Sequence, residues 1–169
     1  MGWVIPILSI VGALFSACFA FLGWMLNRRH RRAEAHEIIH KKYYSLMNFR
    51  PTHPKILSQG FQWDSDCFRR IYEQKDEKDQ EWVIYYSYVE MALGFCNEVI
   101  YAAKRGLLEK VAYEQHYLPL LKLLLAEHQP IIQDMMRDEP YVSQLIRELW
   151  DNLAAEGWNW EQAHLKLKS

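Results

Sequence analysis

Cysteine is scarce and scattered. The three residues, Cys18, Cys67 and Cys96, have no close spacing, which excludes a disulfide scaffold and a Cys-rich zinc module. Glycine and proline are also few, at seven and six, so the chain is neither collagen-like nor low-complexity. An excess of either charge is missing too. Twenty Lys and Arg stand against 21 Asp and Glu, a formal net of −1, which gives no global basis for a nucleic-acid binder. No G-x-G-x-x-G, Walker A loop or G-x-S-x-G occurs, so the commonest phosphate cradles and the hydrolase nucleophile elbow are absent. No alternating apolar pattern lasts long enough to demand a sheet, and no repeat is convincing.

Apolar residues are plentiful but uneven. They make up 50% of the 169 residues, yet mean hydropathy is −0.27. Their concentration lies at Trp3–Leu26, inside an uncharged run from Gly2 to Asn27. As a helix that stretch would be roughly 36 Å long, enough to cross a hydrocarbon core of about 30 Å with some tilt. Trp3 and Trp24 stand near its two ends, where indoles favour the interface, and Pro6 falls in the first turns. A cleaved signal peptide fits poorly, because nothing basic precedes the run and its apolar part is too long. Phe15-Ser16-Ala17-Cys18 resembles a lipoprotein box only faintly, since apolar and small residues continue after Cys18. The expectation is a retained anchor over 1–27.

Arg28, Arg29, Arg31 and Arg32 follow directly and place the C-terminal side in the cytoplasm, with the N-terminus outside. They read first as a topology signal; the alternative is contact with anionic headgroups, making the segment a lipid sensor. Within the span, Gly12, Ser16 and Ala20 recur at four-residue spacing beside Ser9, Ala13 and Ala17. Such a face lets a second helix approach, from another copy or from a membrane protein partner. Residues 28–42 carry six Lys/Arg against two Glu, leaving 14 basic and 19 acidic residues beyond, a net of −5. A basic collar thus precedes an acidic body.

The body reads as all-α, with four to six helices. A basic juxtamembrane helix over 28–49 continues from the anchor, with Ile39, Tyr43, Leu46 and Met47 at helical spacing. Arg50-Pro51-Thr52-His53-Pro54 ends it and opens a loop over 50–63. Asp64 or Ser65 caps a short helix to Gln74, with Phe68, Ile71 and Tyr72 inward; Lys75–Asp79 is a charged connector. The strongest helix spans Gln80 to Lys104, with Trp82, Tyr85, Val89, Leu93, Cys96, Val99 or Ile100, and Ala103 on one stripe and Gly106 as its stop. Glu109–His128 is helical, with a kink or break at Pro119. A short helix containing Met135 and Met136 lies between Pro130 and Pro140. The last helix runs from about Tyr141 to Ala155, with Val142, Leu145, Ile146, Leu149 and Leu153 inward, and Gly157 ends it. The bundle proper thus covers 64–157. Trp158 and Trp160 open a Trp-rich tail over 158–169 and fold back onto the body, since exposed indoles are costly.

One motif points to chemistry. His36-Glu37-Ile38-Ile39-His40 spells H-E-x-x-H, which on a helix sets two imidazoles on one face for Zn²⁺ and a Glu to activate water. A membrane-anchored zinc hydrolase is therefore an alternative reading. Against it, Glu34, Lys41 and Lys42 crowd the motif, and Glu90, Glu98 or His116 would have to supply a third ligand without motif spacing. Cys67 or Cys96 with His53 or His116 would make a nucleophile and base, but lone cysteines on apolar faces are usually core. Glu90 and Glu98 share a helix with no Glu-x-x-His beside them, so a di-metal site is not supported. Tyr85, Tyr86, Tyr88 and Tyr101 read as bundle packing. No catalytic residue, metal, cofactor or small-molecule substrate is expected. The reading is a non-enzymatic interaction, scaffold or regulatory module at a bilayer, such as an accessory subunit of a membrane complex.

The run Tyr88-Val89-Glu90-Met91-Ala92-Leu93-Gly94-Phe95-Cys96-Asn97-Glu98, then Ala103-Lys104-Arg105-Gly106-Leu107-Leu108 and Tyr113-Glu114-Gln115-His116-Tyr117-Leu118, resembles a group of bacterial single-pass membrane proteins. These share a helical domain of unknown function, and their basic-flanked anchor is similar to residues 1–32. The resemblance implies fold and topology, and no activity. The H-E-I-I-H stretch and the Trp-rich tail depart from it.

Overall fold

The computed structural model describes residues 4–53, 71–73, 79–138 and 142–158, with side chains from Gly12 onward and, in the third block, up to Arg137. All regular structure among them is helical: α1 (Val4–Thr52), α2 (Gln80–Lys104), α3 (Lys110–Ala112), a π turn (Tyr113–Tyr117), α4 (Leu118–Glu127), α5 (Gln129–Asp138) and α6 (Gln144–Ala155). The all-α class read from the sequence is the class observed.

Helix α1 is one unbroken rod of 49 residues. Its lower part packs along α2 through Ile39 and Leu46, buried to 1% and 2% exposure. From Gly12 to Leu26 the helix packs against none of the other described helices. Leu14, Phe15, Phe19, Phe21, Leu22, Trp24 and Leu26 are between 52% and 71% exposed. Among the described residues no helix is long and apolar enough to cross a membrane.

The helix also runs past its expected end. Arg50, Pro51 and Thr52 are helical rather than the start of a loop. Proline disfavours helix in the residue before it, but here Phe49 and Arg50 are held by the core. The turn closes with His53 N–H donating to the Arg50 carbonyl at 3.1 Å. The remainder of the expected 50–63 loop, most of the 64–74 helix including Phe68, and the 75–78 connector lie outside the described residues. Ile71, Tyr72 and Glu73 are helical, and Ile71 is buried.

Helix α2 has the bounds read from the sequence and forms the centre of the bundle, between α1 and α6. Asp79 caps its start, its Oδ1 accepting from the Glu81 amide at 2.9 Å. Its end is a two-bond glycine cap. Gly106, at φ 65, donates to the Ala103 carbonyl, and Leu107 donates to Ala102 at 2.9 Å. Gly157 (φ 74) ends α6 the same way: its amide donates to Ala154, and the Trp158 amide donates to Leu153. That cap turns Trp158 back onto the body, where it is half-buried with the Lys122 ammonium 4.8 Å above its ring. Trp160 lies outside the described residues.

Pro119 interrupts the third long helical segment through a widened turn. Leu118 N–H donates to the Tyr113 carbonyl, five residues back. The extra residue in that turn shifts the backbone ladder just ahead of the proline, which lacks a donor of its own. Helix α6 starts at Gln144 rather than near Tyr141, because the Ser143 hydroxyl caps it, accepting from the Ile146 amide at 3.4 Å.

Candidate functional site

The residues singled out from the sequence cluster along α1. Gly12, Ala13, Ser16, Ala17 and Ala20 are exposed and unpacked; Ser9 lies in the helix, but its side chain is outside the described residues. A Cβ added at Gly12 would meet nothing within 4 Å among the described residues. The Ser16 hydroxyl donates to the Gly12 carbonyl at 3.0 Å. Next come Arg28, Arg29 and Arg31, exposed, and Arg32, half-buried. The Arg28 guanidinium lies 5.4 Å from the centre of the Trp24 ring, which in turn stacks on Phe21 at 5.9 Å.

The H-E-x-x-H residues divide between two roles. Ile39 is a core residue on the side of α1 that packs along α2, while Glu37 and His40 are exposed and His36 is half-buried. His40 tilts against Tyr44, ring centres 6.0 Å apart. The candidate third ligands are not brought to them. The Glu98 carboxylate is taken by Lys42 at 3.0 Å, Glu90 is exposed, and His116 is exposed on the π turn. Among the described residues, no group of three His, Cys, Asp or Glu could hold a metal ion. Cys96 is fully buried in α2, and burial pushes its thiol up to about 12, the opposite of what a nucleophilic thiolate needs. Cys67 lies outside the described residues.

Sequence reasoning missed a buried polar cluster where the end of α1 meets α2 and the α4–α5 corner. Arg50, Glu127 and His128 are 6%, 9% and 0% exposed, and Tyr85 and Tyr88 close around them. The Tyr85 hydroxyl and His128 Nδ1 share a hydrogen bond of 3.1 Å. Tyr88 meets the same imidazole edge-on, ring centres 5.6 Å apart, and stacks on Phe49 at 6.2 Å. Burial raises the Tyr88 hydroxyl well above the usual phenol range. Burial likewise pushes the Glu127 carboxyl up to about 9, against the opposing pull of Arg50. Its Oε2 is buried without a hydrogen-bond partner, so an ionised carboxylate would lose hydration and regain little. A signal existed in the sequence: His128 continues the Leu121, Leu124, Leu125 stripe at helical spacing. These five residues are too enclosed to meet a substrate as they stand. They join three parts of the bundle.

Two open clefts lie among the described residues. One of about 220 Å³ lies between α2, α5 and α6, with Leu93, Met135 and Ile146 in its walls beside Glu90 and Asn97. The other, about 480 Å³, lies between the end of α2, the π turn and α6. Lys104 and Glu148, both in its lining, form an ion pair.

No protein-family model, no curated protein and no solved structure matches the chain.

Proposed function

We propose that the protein is a membrane-anchored, non-enzymatic interaction or scaffold module whose helical body is held at the cytoplasmic face, as an accessory subunit of a membrane complex would be. One observation carries the reading. The apolar upper part of α1, from Gly12 to Leu26, stands free of the other described helices with its large side chains in the open. Leaving a continuous apolar rod in water is unfavourable by about 25 cal/mol for each Å² of apolar surface, and a contiguous apolar surface of that size marks an interaction or membrane site. The uncharged run begins earlier, at Gly2, and four arginines end it. A bilayer covers such a rod on all sides, and the arginines fix its direction. The likeness to single-pass bacterial proteins belongs to the same proposal, as does a partner helix on the Gly12–Ser16–Ala20 face.

The test is extraction of membranes from cells expressing the full chain. The protein stays in the pellet through alkaline carbonate and high salt and is released by detergent. Release by carbonate would refute the anchor. Crosslinking in intact membranes, followed by mass spectrometry, then recovers a second membrane protein or a second copy. Recovery of the uncrosslinked monomer alone would refute the interaction module.

A further inference from the structure

The collar arginines are not evenly disposed around α1. Steps of four and three residues lead from Arg28 to Arg32, Ala35, Ile39, Lys42 and Leu46, a single stripe at helical spacing. Its lower members face the bundle: Ala35 packs against the core, Ile39 and Leu46 lie within it, and Lys42 reaches Glu98 and the Gly94 carbonyl. Followed upward, the same stripe passes Arg28 to Trp24 and Phe21. Arg31 sits about 60° to one side of Arg28, and Arg29 about 100° to the other. Arg28 lies roughly 16 Å along the axis above Ile39, and Arg32 about 10 Å. The face that meets the bundle below thus becomes, above it, a short ladder of guanidinium groups under two stacked aromatic rings.

None of the four arginines has a carboxylate partner among the described residues, although Glu34 and Glu37 are close in sequence. Arg28 instead rests on Trp24, and the Nε of Arg32 is buried with no hydrogen-bond partner. Guanidinium groups left unpaired next to apolar rings suit a ligand with an anionic oxygen cluster joined to a hydrocarbon chain.

We propose that this face, Phe21–Trp24–Arg28–Arg32 with Arg31 alongside, is a binding site for one anionic phospholipid. Its phosphate lies among the three guanidinium groups and its acyl chain along the two rings. The site rests on the anchor reading, since only an inserted α1 places Trp24 at the interface. It goes further in being one-sided, on the face that the bundle shares, where bulk attraction to a charged surface would use all four arginines alike.

The experiment uses the full chain in phosphatidylcholine vesicles with trace spin-labelled phosphatidylglycerol or spin-labelled phosphatidylcholine, the motionally restricted fraction being read by electron paramagnetic resonance. The wild type restricts the glycerol lipid in preference to the choline lipid. In Arg28→Gln that preference falls roughly fivefold, while Arg29→Gln keeps most of it. Inorganic phosphate at millimolar concentration leaves it unchanged. Equal loss in Arg29→Gln would reduce the site to collar charge and overturn the proposal. So would the absence of preference in the wild type, or displacement by phosphate alone. Circular dichroism of each variant establishes that the helical fold is kept. Failure of the wild type to insert into vesicles at all would instead overturn the anchor, a separate and recognisable result.

Discussion

Glu127→Gln separates two electrostatic states of the buried cluster by sign. The Glu127 carboxyl titrates near 9 in the folded protein against an ordinary 4.5, because burial penalises its ionised form more than Arg50 favours it. A raised acid binds its proton more tightly when folded. Its contribution is therefore fully present below pH 4.5 and is lost as pH rises toward 9, at about 1.4 kcal/mol per unit. Glutamine has nearly the shape of the protonated acid and no titration. The variant and the wild type should thus be equally stable near pH 4.5, and the variant about 3 kcal/mol more stable at pH 7. By pH 9 the gap should reach roughly 6 kcal/mol. These are large fractions of an ordinary domain's stability of about 5–15 kcal/mol. Urea denaturation of both proteins in mild detergent, followed by far-ultraviolet circular dichroism across pH 4.5–9, measures the gap directly, since all other titrating groups cancel. If Glu127 were ionised and paired with Arg50, the substitution would strand a buried guanidinium. It would then cost about 3–5 kcal/mol at neutral pH. A destabilised variant at pH 7, or a gap independent of pH, refutes the reasoning.

Ile39→Ala empties a fully buried position between α1 and α2 and should lower unfolding free energy by about 2–5 kcal/mol in the same assay. Gly106→Ala should cost about 1 kcal/mol, because its φ of 65 is strained for any residue with a Cβ; a neutral result would contradict the glycine-cap geometry. Ser143→Ala removes the α6 cap and should cost about 0.5–1 kcal/mol, at the low end because the bond is long. The Cys96 thiol, buried and pushed up to about 12, should resist a disulfide reagent at pH 8 until urea unfolds the bundle. Mass spectrometry of the labelled peptide would show this, and early modification at Cys96 would refute its enclosure.

The parts of the fold that were legible in the sequence are those where a local signal and the tertiary environment agree. Gln80–Lys104 has a capping Asp, a seven-position apolar stripe and a following glycine, and its observed bounds match. The end of α1 was read too early because a proline rule is local. Arg50 stays helical through burial of its side chain against residues more than 30 positions away, and no window of sequence contains that. The widened turn before Pro119 was legible only as a disturbance. Its form depends on how the backbone redistributes hydrogen bonds over Tyr113–Leu118. The polar cluster was the largest miss. Charged residues default to the surface, so nothing local marks Arg50 or Glu127 as buried, and only His128 carries a periodicity that points inward.

The collar is legible in the sequence as charge but not as direction. Four arginines after an apolar run can be counted from the sequence; which side of the helix they occupy relative to the body cannot. That side is fixed by Ile39, Leu46 and the Lys42–Glu98 bond, which set the rotation of α1 on α2. Because α1 is continuous from Val4 to Thr52, a rotation fixed at its lower end is carried upward without a hinge. A glycine or proline between Arg32 and Ala35 would have uncoupled the two. The chain has Ala33 and Glu34 there, both compatible with an unbroken helix. The orientation of Trp24 and Arg28 at the upper end of α1 is therefore a consequence of core packing at the other, and the two ends of α1 form one mechanical unit.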